Sequence, residues 1–220
     1  MRFVDWTEVK KVFEGKSLAI VGSAPSCLDN KIGFVDSHDV VVRVNNYRLS
    51  KGTGNRTDVF YSFFGSSVKK TPEELKKDEV FLCMCKCPNS KPIESEWHVK
   101  NGKPLGVDFR YIYDIRRDWW FCDTHVPDTG RFIGTFELLD RHIPTTGFSA
   151  IVDILDCSPG SVFITGFDFF ASGIHNVNEP WRPGRKDDPI GHRPDLELGF
   201  LKKNKHLFTS DKTLDILLQR

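Results

Sequence analysis

The sequence predicts an α/β fold in which helices flank a mostly parallel sheet. Two apolar runs predict neighbouring strands: residues 18–21 end at Gly22, and residues 40–42 follow about twenty residues on. Parallel strands need a crossover of a dozen or more residues between them. Further apolar runs alternate with helix-like stretches along the chain. At 220 residues with 39% hydrophobic content, the chain can bury one core, which predicts a single domain over residues 1–220.

The first elements follow from capping residues and short apolar runs. Residues 5–14 predict an amphipathic helix, which Asp5 or Thr7 can cap and Gly15 ends. The first strand then enters a loop of small residues at 22–26, where we expect a short helix to begin. The second strand ends in Arg43-Val44-Asn45-Asn46, which predicts a cation and two amides at the same sheet edge as that loop.

The later elements are predicted in the same way. Thr71 precedes Pro72 and two glutamates, the order expected at a capped helix start, and predicts a short helix over 71–77. A helix over 145–155 can begin at Thr145 or Thr146. The remaining predicted strands are residues 58–64, 80–85, 110–115 and 162–165, with a polar insertion at 88–105.

Composition argues against several classes of protein. The 31 basic and 30 acidic residues give a formal charge of +1, so the overall charge does not indicate a nucleic-acid partner. The N-terminus contains no continuous apolar segment, which predicts neither a signal peptide nor a membrane anchor. Cysteines at 83, 85 and 87 alternate along a predicted strand and favour buried, reduced thiols over a metal site or disulfide.

Two stretches offer backbone donors to a bound anion. In open α/β sheets, ligands bind beyond the carboxyl ends of the strands, where small residues let a phosphate approach backbone N–H groups. Gly22, Ser23 and Ser26 follow the first strand in this way. Thr145-Thr146-Gly147 opens a predicted helix and is a second candidate anion site, although the same residues also fit an ordinary cap.

Residues 166–197 concentrate polar side chains, among them Asp168, His175, His192 and Glu197. Histidine exchanges protons near neutral pH, so the two histidines are candidates for acid–base catalysis as well as for structural roles. Pro194 separates His192 from Glu197, which favours a carboxylate that caps or orients the local turn over a helical metal pair. Neither His-Glu-x-x-His nor Asp-x-Asp occurs, so the sequence predicts no metal cofactor.

The order of these motifs resembles that of the sialyltransferases, which use CMP-activated sugars. Residues 18–46 are similar to sialylmotif L, including its Arg43-Val44-Asn45 ending. Residues 144–167 are similar to sialylmotif S, with Thr145 where the family commonly has serine. The segment 175–197 has His175 where the third motif has its histidine, and its end matches the His-x-x-x-x-Glu of the very short motif. Between residues 65 and 142 little similarity is found.

The resemblance implies a GT-A-like fold, and metal-independent transfer with inversion at the anomeric carbon. His175 would assist the departing phosphate, and His192 would be the general base on the acceptor hydroxyl. The substrates would be a CMP-sugar donor and a glycan acceptor, and no cofactor is expected. Donor binding would involve Gly22, Ser23, Ser26, Asn45, Thr145, Thr146, Gly147 and Asp168.

Departures from the family pattern change what is expected. Leu18 replaces the cysteine that opens motif L, so Cys157 has no partner and the family disulfide is lost. Ser26 replaces a CMP-binding asparagine, so the donor can be sialic acid or Kdo, another CMP-activated 2-keto acid sugar. The lack of an anchor and the short chain predict a bacterial or viral type of enzyme in the cytoplasm, with peripheral contact allowed at the inner membrane face.

The sequence therefore predicts a CMP-sugar-dependent glycosyltransferase that acts on a surface glycan such as lipopolysaccharide or capsule. The alternative is a non-catalytic nucleotide-binding or glycan-assembly module. The two histidines disfavour it, because a binding module has no need of a placed base. A dinucleotide oxidoreductase is also disfavoured, since Gly22 stands alone where a Gly-x-Gly-x-x-Gly fingerprint would lie.

Overall fold

The computed structural model describes residues 2–65, 68–88, 121–172 and 192–220, together with the backbone of two short strands at 174–176 and 179–180. The strands are β1 (Ser17–Val21), β2 (Val40–Val44), β3 (Val59–Ser62), β4 (Leu82–Cys85), β5 (Asp123–His125), β6 (Ser161–Thr165), β7 (Ile174–Asn176), β8 (Glu179–Pro180) and β9 (Thr209–Ser210). The helices are α1 (Trp6–Phe13), α2 (Pro72–Lys77), α3 (Thr129–Glu137), α4 (Thr146–Leu155), α5 (Pro194–Lys203) and α6 (Lys212–Gln219).

Seven strands form one parallel sheet in the order β5-β4-β3-β2-β1-β6-β9, and β7 and β8 form an antiparallel pair. From β1 the chain adds strands on one side as far as β5, and β6 then pairs on the other side of β1. In open α/β sheets, the crevice at such a reversal is where ligands bind. Val21 pairs with Thr165, so Gly22 and Gly166 lie side by side at the carboxyl edge.

Both faces of the sheet are buried, which explains why its strands are continuous apolar runs. Along β1, Leu18 and Ile20 belong to one core cluster, and Ala19 and Val21 belong to another. The first cluster includes residues of α1, α4, α5 and α6, so these helices cover one face. Residues of α2 and α3 pack with β3 and β4 on the opposite face. The predicted α/β fold with a parallel sheet is confirmed.

Three predicted helices begin where the sequence places their caps. Asp5 caps α1 and Thr71 caps α2, and in both the glutamate three residues later completes a capping box. Thr145 caps α4, and its hydroxyl oxygen accepts a hydrogen bond from the Phe148 N–H at 3.1 Å. Loss of such a cap costs about 1 kcal/mol. These helix starts are therefore determined by local sequence.

A buried polar network ties α4 to the sheet. The Asp153 carboxylate accepts hydrogen bonds from the Tyr61 hydroxyl at 2.6 Å and from Nε of Arg131 at 3.0 Å. Burial raises the pKa of Asp153, and the Arg131 charge opposes that rise. The Arg131 guanidinium also lies 3.2 Å from the centre of the Trp6 ring. Because α4 begins at the carboxyl edge of the sheet, this network helps to fix where the helix presents its N-terminus.

Of two predictions about this part of the chain, one is confirmed and one is wrong. The short helix expected to begin in the β1 loop is present as a 3₁₀ helix at Pro25–Asp29, and a second 3₁₀ helix spans Val35–Ser37. Gly33 lies between them with a φ of +79°, which a right-handed helix does not contain. Arg43 does not bring a cation to the sheet edge. It is fully buried, and its guanidinium donates to the carbonyls of Thr53 and Arg56 at 2.7 and 3.0 Å, which orders the loop after β2.

The structure also contains elements that the sequence patterns did not predict: β5, β7, β8, β9, α3, α5 and α6. The strands β5 and β9 have three and two residues, too few for a periodic apolar signal. Gly130 and Gly134 lower the helix propensity of α3. The strands predicted at 58–64 and 80–85 are shorter than expected. The strand predicted at 110–115 and most of the insertion at 88–105 lie outside the described residues.

All six cysteines are free thiols. Cys83, Cys85 and Cys87 belong to one core cluster and are at most 3% exposed, which confirms their predicted alternation. Burial raises the pKa of the Cys87 thiol to about 12. Leu18 and Cys157, which stand at the disulfide positions of the family that the sequence resembles, both belong to the other large core cluster. Apolar packing therefore occupies this part of the fold.

His125 lies at the end of β5, and its buried position should make the free energy of unfolding depend on pH. Its Nδ1 lies 2.9 Å from the Val4 carbonyl, which can only accept, and its Nε2 is buried without a hydrogen-bond partner among the described residues. Burial lowers the pKa of His125. The unfolded chain therefore takes up a proton near pH 6.5 that the folded chain does not, so stability should fall as the pH falls below about 6.5.

We expect His125→Asn, which retains an N–H donor near the position of Nδ1, to lose less stability between pH 7.5 and pH 5.5 than the parent protein. The difference between their free energies of unfolding should change by at most about 1.4 kcal/mol per pH unit. Denaturant unfolding at several pH values measures it. Equal pH dependence in the two proteins would show that another group is responsible.

Candidate active site at the carboxyl edge of the sheet

The loop after β1 packs directly against the loop after β6. The Gly22 N–H donates to the Thr165 carbonyl at 2.8 Å, and the Ala24 N–H donates to the Gly166 carbonyl at 2.9 Å. A Cβ atom added at Gly22 would lie 2.3 Å from the carbonyl oxygen of Gly166, and Gly166 itself has a φ of +75°. Glycine is therefore needed at both positions, where two backbone segments meet at the reversal of strand order.

Phe167 lies between the β1 loop and the start of α4. A Cβ atom at Gly22 would lie 2.9 Å from Cε2 of the ring, and one at Gly147 would lie 2.4 Å from Cε1 on its other edge. The loops after β1 and β6 and the first turn of α4 therefore meet around one partly exposed ring. We call the β1 loop residues and the helix-start residues that meet here the glycine cradle: Gly22, Ser23, Thr145, Thr146 and Gly147.

The start of α4 supplies backbone donors to the glycine cradle. The first N–H groups of a helix have no partner within it. The N–H of Phe148 is bound by the cap Thr145, whereas those of Thr146 and Gly147 have no hydrogen-bond partner in the described part of the chain. The helix has ten residues, and its dipole adds partial positive charge at this end. Both features favour a phosphate or carboxylate group.

Asn45 follows β2 at the same edge, with a φ of +48°. The Ser62 hydroxyl accepts a hydrogen bond from the Phe64 N–H at 3.0 Å and donates to Oδ1 of Asn45 at 3.0 Å. In this arrangement the amide oxygen of Asn45 faces Ser62, and its NH₂ group faces away from it. Among the described residues, no hydrogen bond is made by that NH₂ group. Asn45 is thus oriented to donate to acceptor atoms of a ligand.

Ser26 lies on the 3₁₀ turn that follows the β1 loop. Its side chain is 7% exposed, and Oγ has no hydrogen-bond partner among the described residues. An unsatisfied buried hydroxyl costs about 1 to 3 kcal/mol. A ligand atom that hydrogen-bonds to Oγ would remove this cost, so the geometry is compatible with the predicted nucleotide contact.

Glu197 joins α5 to the start of α4. The carboxylate is fully buried and accepts hydrogen bonds from the Thr145 N–H at 2.6 Å and from the Thr145 hydroxyl at 2.8 Å. The sequence predicts that this carboxylate orients the local turn around Pro194, but in the structure it binds Thr145, 52 residues away in the chain. Glu197 therefore fixes the cap of α4, and with it the direction of the donors in the glycine cradle.

His192 directly precedes α5 and is partly buried. Its Nδ1 lies 2.6 Å from the carbonyl oxygen of Ile143. A carbonyl can only accept a hydrogen bond, so Nδ1 holds the proton of the neutral ring and Nε2 is the nitrogen that can accept one. His192 and Glu197 therefore both contact the short segment before α4, at residues 143 and 145.

Two further predicted site residues are His175 and Asp168, and the structure describes the side chain of Asp168 only. The backbone of His175 lies in β7, and its side chain is outside the described part of the structure. The Asp168 side chain is 5% exposed, and its carboxylate accepts hydrogen bonds from the N–H groups of Phe170 at 3.0 Å and Ser172 at 3.2 Å. Asp168 therefore closes the turn after β6. Its predicted part in donor binding stays a prediction.

Sequence reasoning missed three features of this site: the Ser62 hydroxyl, the Phe167 ring and the Ile143 carbonyl. Ser62 could have been found, because it is the last residue of a strand whose carboxyl end reaches the ligand edge. Phe167 was noticed only as part of a motif. The Ile143 carbonyl gives no sequence signal, because every residue has a carbonyl group.

The arrangement can bind an anion and accept a proton from a nearby hydroxyl group. Among the described residues, no three His, Cys, Asp or Glu side chains lie together as a metal-binding group. In the described part of the chain, no helix is both long enough and apolar enough to span a membrane.

Several solved structures are similar to this chain. A mammalian sialyltransferase matches with a TM-score of 0.56 at 14% identity, over 90% of this chain and 69% of that one. The sialyltransferase CstII from Campylobacter jejuni, in complex with CMP, matches with a TM-score of 0.53 at 16% identity, over 90% of this chain and 80% of that one. No protein-family profile matches the chain, and no curated protein is significantly similar to it.

The similarity extends over 90% of this chain in both comparisons. Sequence identities of 14 to 16% are too low to transfer an activity, but agreement over 90% of the chain establishes the arrangement of its elements. The chain therefore has the fold of the sialyltransferases.

Proposed function

We propose that this protein transfers a sialic acid, or a related 2-keto acid sugar such as Kdo, from a CMP-sugar donor to a hydroxyl group of a glycan acceptor. The main supporting observation is the hydrogen bond between Nδ1 of His192 and the Ile143 carbonyl, two residues before the cap of α4. A proton acceptor is thereby held next to a helix start that can bind an anion.

In the proposed reaction, Nε2 of His192 takes the proton of the acceptor hydroxyl while the hydroxyl oxygen attacks the anomeric carbon of the donor. The bond from that carbon to the phosphate oxygen breaks, and CMP leaves with the electron pair. Attack on the face opposite to CMP inverts the configuration. A neutral imidazole with its Nδ1 proton fixed is suited to this role near neutral pH.

The glycine cradle would bind the departing phosphate or the sugar carboxylate. Backbone N–H groups at a helix start stabilise the negative charge that grows on the leaving group. CMP departs readily as the anomeric carbon, which lies next to a carboxylate, becomes oxocarbenium-like. Backbone N–H groups that bind the leaving phosphate can therefore replace a metal ion. In this proposal His175 assists the leaving phosphate from β7, and Asp168 contributes to the donor side of the site.

Ligands of the structural neighbours support these substrate classes. CstII was solved with the substrate analogue CMP-3FNeuAc, and a mammalian sialyltransferase was solved with Gal-beta-1-3GalNAc-ortho-nitrophenol. Ser26 stands where the related family has a CMP-binding asparagine, which keeps Kdo as an alternative to sialic acid. The proposed acceptor is a surface glycan such as lipopolysaccharide or capsule, modified in the cytoplasm with peripheral contact at the inner membrane face.

The proposal is tested by incubating the protein with CMP-sialic acid or CMP-Kdo and measuring released CMP. We expect release from one of the two donors, and a rise in melting temperature with CMP but not with UMP or NAD. A protein that binds CMP and releases none from either donor, with or without glycan, would support the alternative, a non-catalytic nucleotide-binding or glycan-assembly module.

The same assay tests whether a metal is needed. We expect the rate of CMP release to be equal with and without EDTA, because the proposed donors to the leaving phosphate are protein groups. Loss of activity in EDTA that Mn²⁺ or Mg²⁺ restores would contradict metal-free transfer.

Asn45→Ala and Thr146→Ala should both weaken CMP binding, because each removes a side chain that can hydrogen-bond to the nucleotide. Loss of one such bond costs about 0.5 to 3 kcal/mol, with the larger values for bonds to a charged phosphate. Calorimetric titration with CMP measures the change, and circular dichroism controls for folding. If both folded variants bind CMP as the parent does, the nucleotide binds elsewhere.

A further inference from the structure

Lys86 is a buried cation that belongs to no sequence motif described above. It follows β4 at the carboxyl edge of the sheet and is only 7% exposed. Its ammonium group donates a hydrogen bond to the carbonyl oxygen of Pro144 at 2.5 Å. Lysine side chains are rarely this buried unless they are paired or have a specific role. Pro144 lies 58 residues after Lys86 in the sequence and belongs to the segment directly before α4.

The peptide group that joins Pro144 to Thr145 is held from both ends by opposite charges. Lys86 binds its carbonyl oxygen, and the Glu197 carboxylate binds its N–H. Hydrogen bonds to charged groups are about twice as strong as those between neutral groups. Lys86 and Glu197 therefore both hold the orientation of this peptide. The adjoining carbonyl of Ile143 anchors His192, and the adjoining Thr145 caps α4.

Lys86 also adds positive charge close to the glycine cradle. Consecutive Cα atoms are 3.8 Å apart, so its ammonium group lies within roughly 10 Å of the free N–H groups of Thr146 and Gly147. At this distance and in a partly buried setting, a unit charge changes the affinity for an anion by about threefold to tenfold at moderate salt. Glu197 has the opposite charge at a similar distance.

We propose that Lys86 is a positioning residue of the site, which orients the segment before α4 and supplies positive potential to the anion held by the glycine cradle. This inference rests on the proposed function, because it takes the anion to be the phosphate of CMP. It predicts opposite effects of the two charges on anion binding, a pattern that a purely structural role would not produce.

The test compares the binding of CMP with that of cytidine, which lacks the phosphate, in Lys86→Met and in Glu197→Gln. Methionine retains most of the volume beside a small cavity of about 10 Å³ that Lys86 lines, and glutamine retains the shape of Glu197. We expect Lys86→Met to weaken CMP binding about threefold to tenfold with cytidine affinity unchanged, and Lys86→Arg to restore it. In Glu197→Gln, the affinity for CMP relative to cytidine should rise.

The matched control is Lys11→Met, an exposed lysine on α1, which precedes the opposite edge of the sheet. It should leave both affinities unchanged. Equal weakening of CMP and cytidine in Lys86→Met, or no change in either, would overturn the inference while the proposed function stood. A parent protein that binds neither ligand would overturn the proposed function itself. If Lys86→Met does not fold, an unchanged ratio in Glu197→Gln overturns the inference in its place.

Discussion

Replacing His192 with alanine is expected to lower sugar transfer by roughly 10² to 10⁴, the usual effect of losing one positioned acid or base. CMP affinity should stay close to that of the parent, because His192 contacts the segment before α4 and not the donors of the glycine cradle. His192→Asn should lose as much transfer, although it retains an N–H donor for the Ile143 carbonyl. The pair of variants thus separates proton transfer from positioning.

Transfer to a glycan and slow hydrolysis of the donor should be measured in parallel. His192→Ala should retain much of the hydrolysis, whereas His175→Ala should lose hydrolysis and transfer together if His175 assists the leaving phosphate. Transfer by the parent should fall on acidification through about pH 6 to 7, the range in which imidazoles take up a proton. A folded His192→Ala protein that transfers sugar at the parental rate would remove His192 from the mechanism.

Gly22→Ala is expected to lower CMP affinity at least about tenfold and to destabilise the fold by about 1 to 3 kcal/mol. The added methyl group would lie 2.3 Å from the Gly166 carbonyl oxygen and 2.9 Å from the Phe167 ring. The first contact is with backbone, so relief requires the loops after β1 and β6 to separate. That movement would displace one wall of the glycine cradle.

Gly134→Ala is the matched control for this variant. Gly134 lies in α3, and a methyl group there would meet no atom within 4 Å. This substitution should stabilise the protein by about 0.5 to 1 kcal/mol and leave CMP binding unchanged. Denaturant unfolding and CMP titration on both variants give the result. Parental CMP affinity in Gly22→Ala would mean that the ligand does not use the β1 loop.

Much of the fold was predictable because its signals are local. A cap such as Asp5 or Thr145 acts on N–H groups three residues later, so sequence alone locates the helix start. The buried strands β1, β2 and β6 appear as apolar runs, because both faces of the sheet are covered. The elements that were missed are short, like β5, or rich in glycine, like α3, and their stability comes from packing.

The prediction for Arg43 was wrong because tertiary structure decides where a side chain points. Sequence position indicated that Arg43 lies near the carboxyl edge, but not which way its side chain points. The loop after β2 folds over it and offers the carbonyls of Thr53 and Arg56 to a cation that burial would otherwise leave unsatisfied.

The sequence by itself determined the parallel α/β fold, the β1 loop with Gly22, and a helix start at Thr145. Tertiary structure decided which partners these groups have. Three hydrogen bonds at the segment before α4 join residues far apart in the chain: His192 to the Ile143 carbonyl, Glu197 to Thr145, and Lys86 to the Pro144 carbonyl. Such hydrogen bonds depend on strand order and on where each helix packs, because their atoms must meet within about 3 Å. Local propensity does not specify those distances, and two of these partners are backbone carbonyl groups, which every residue type provides.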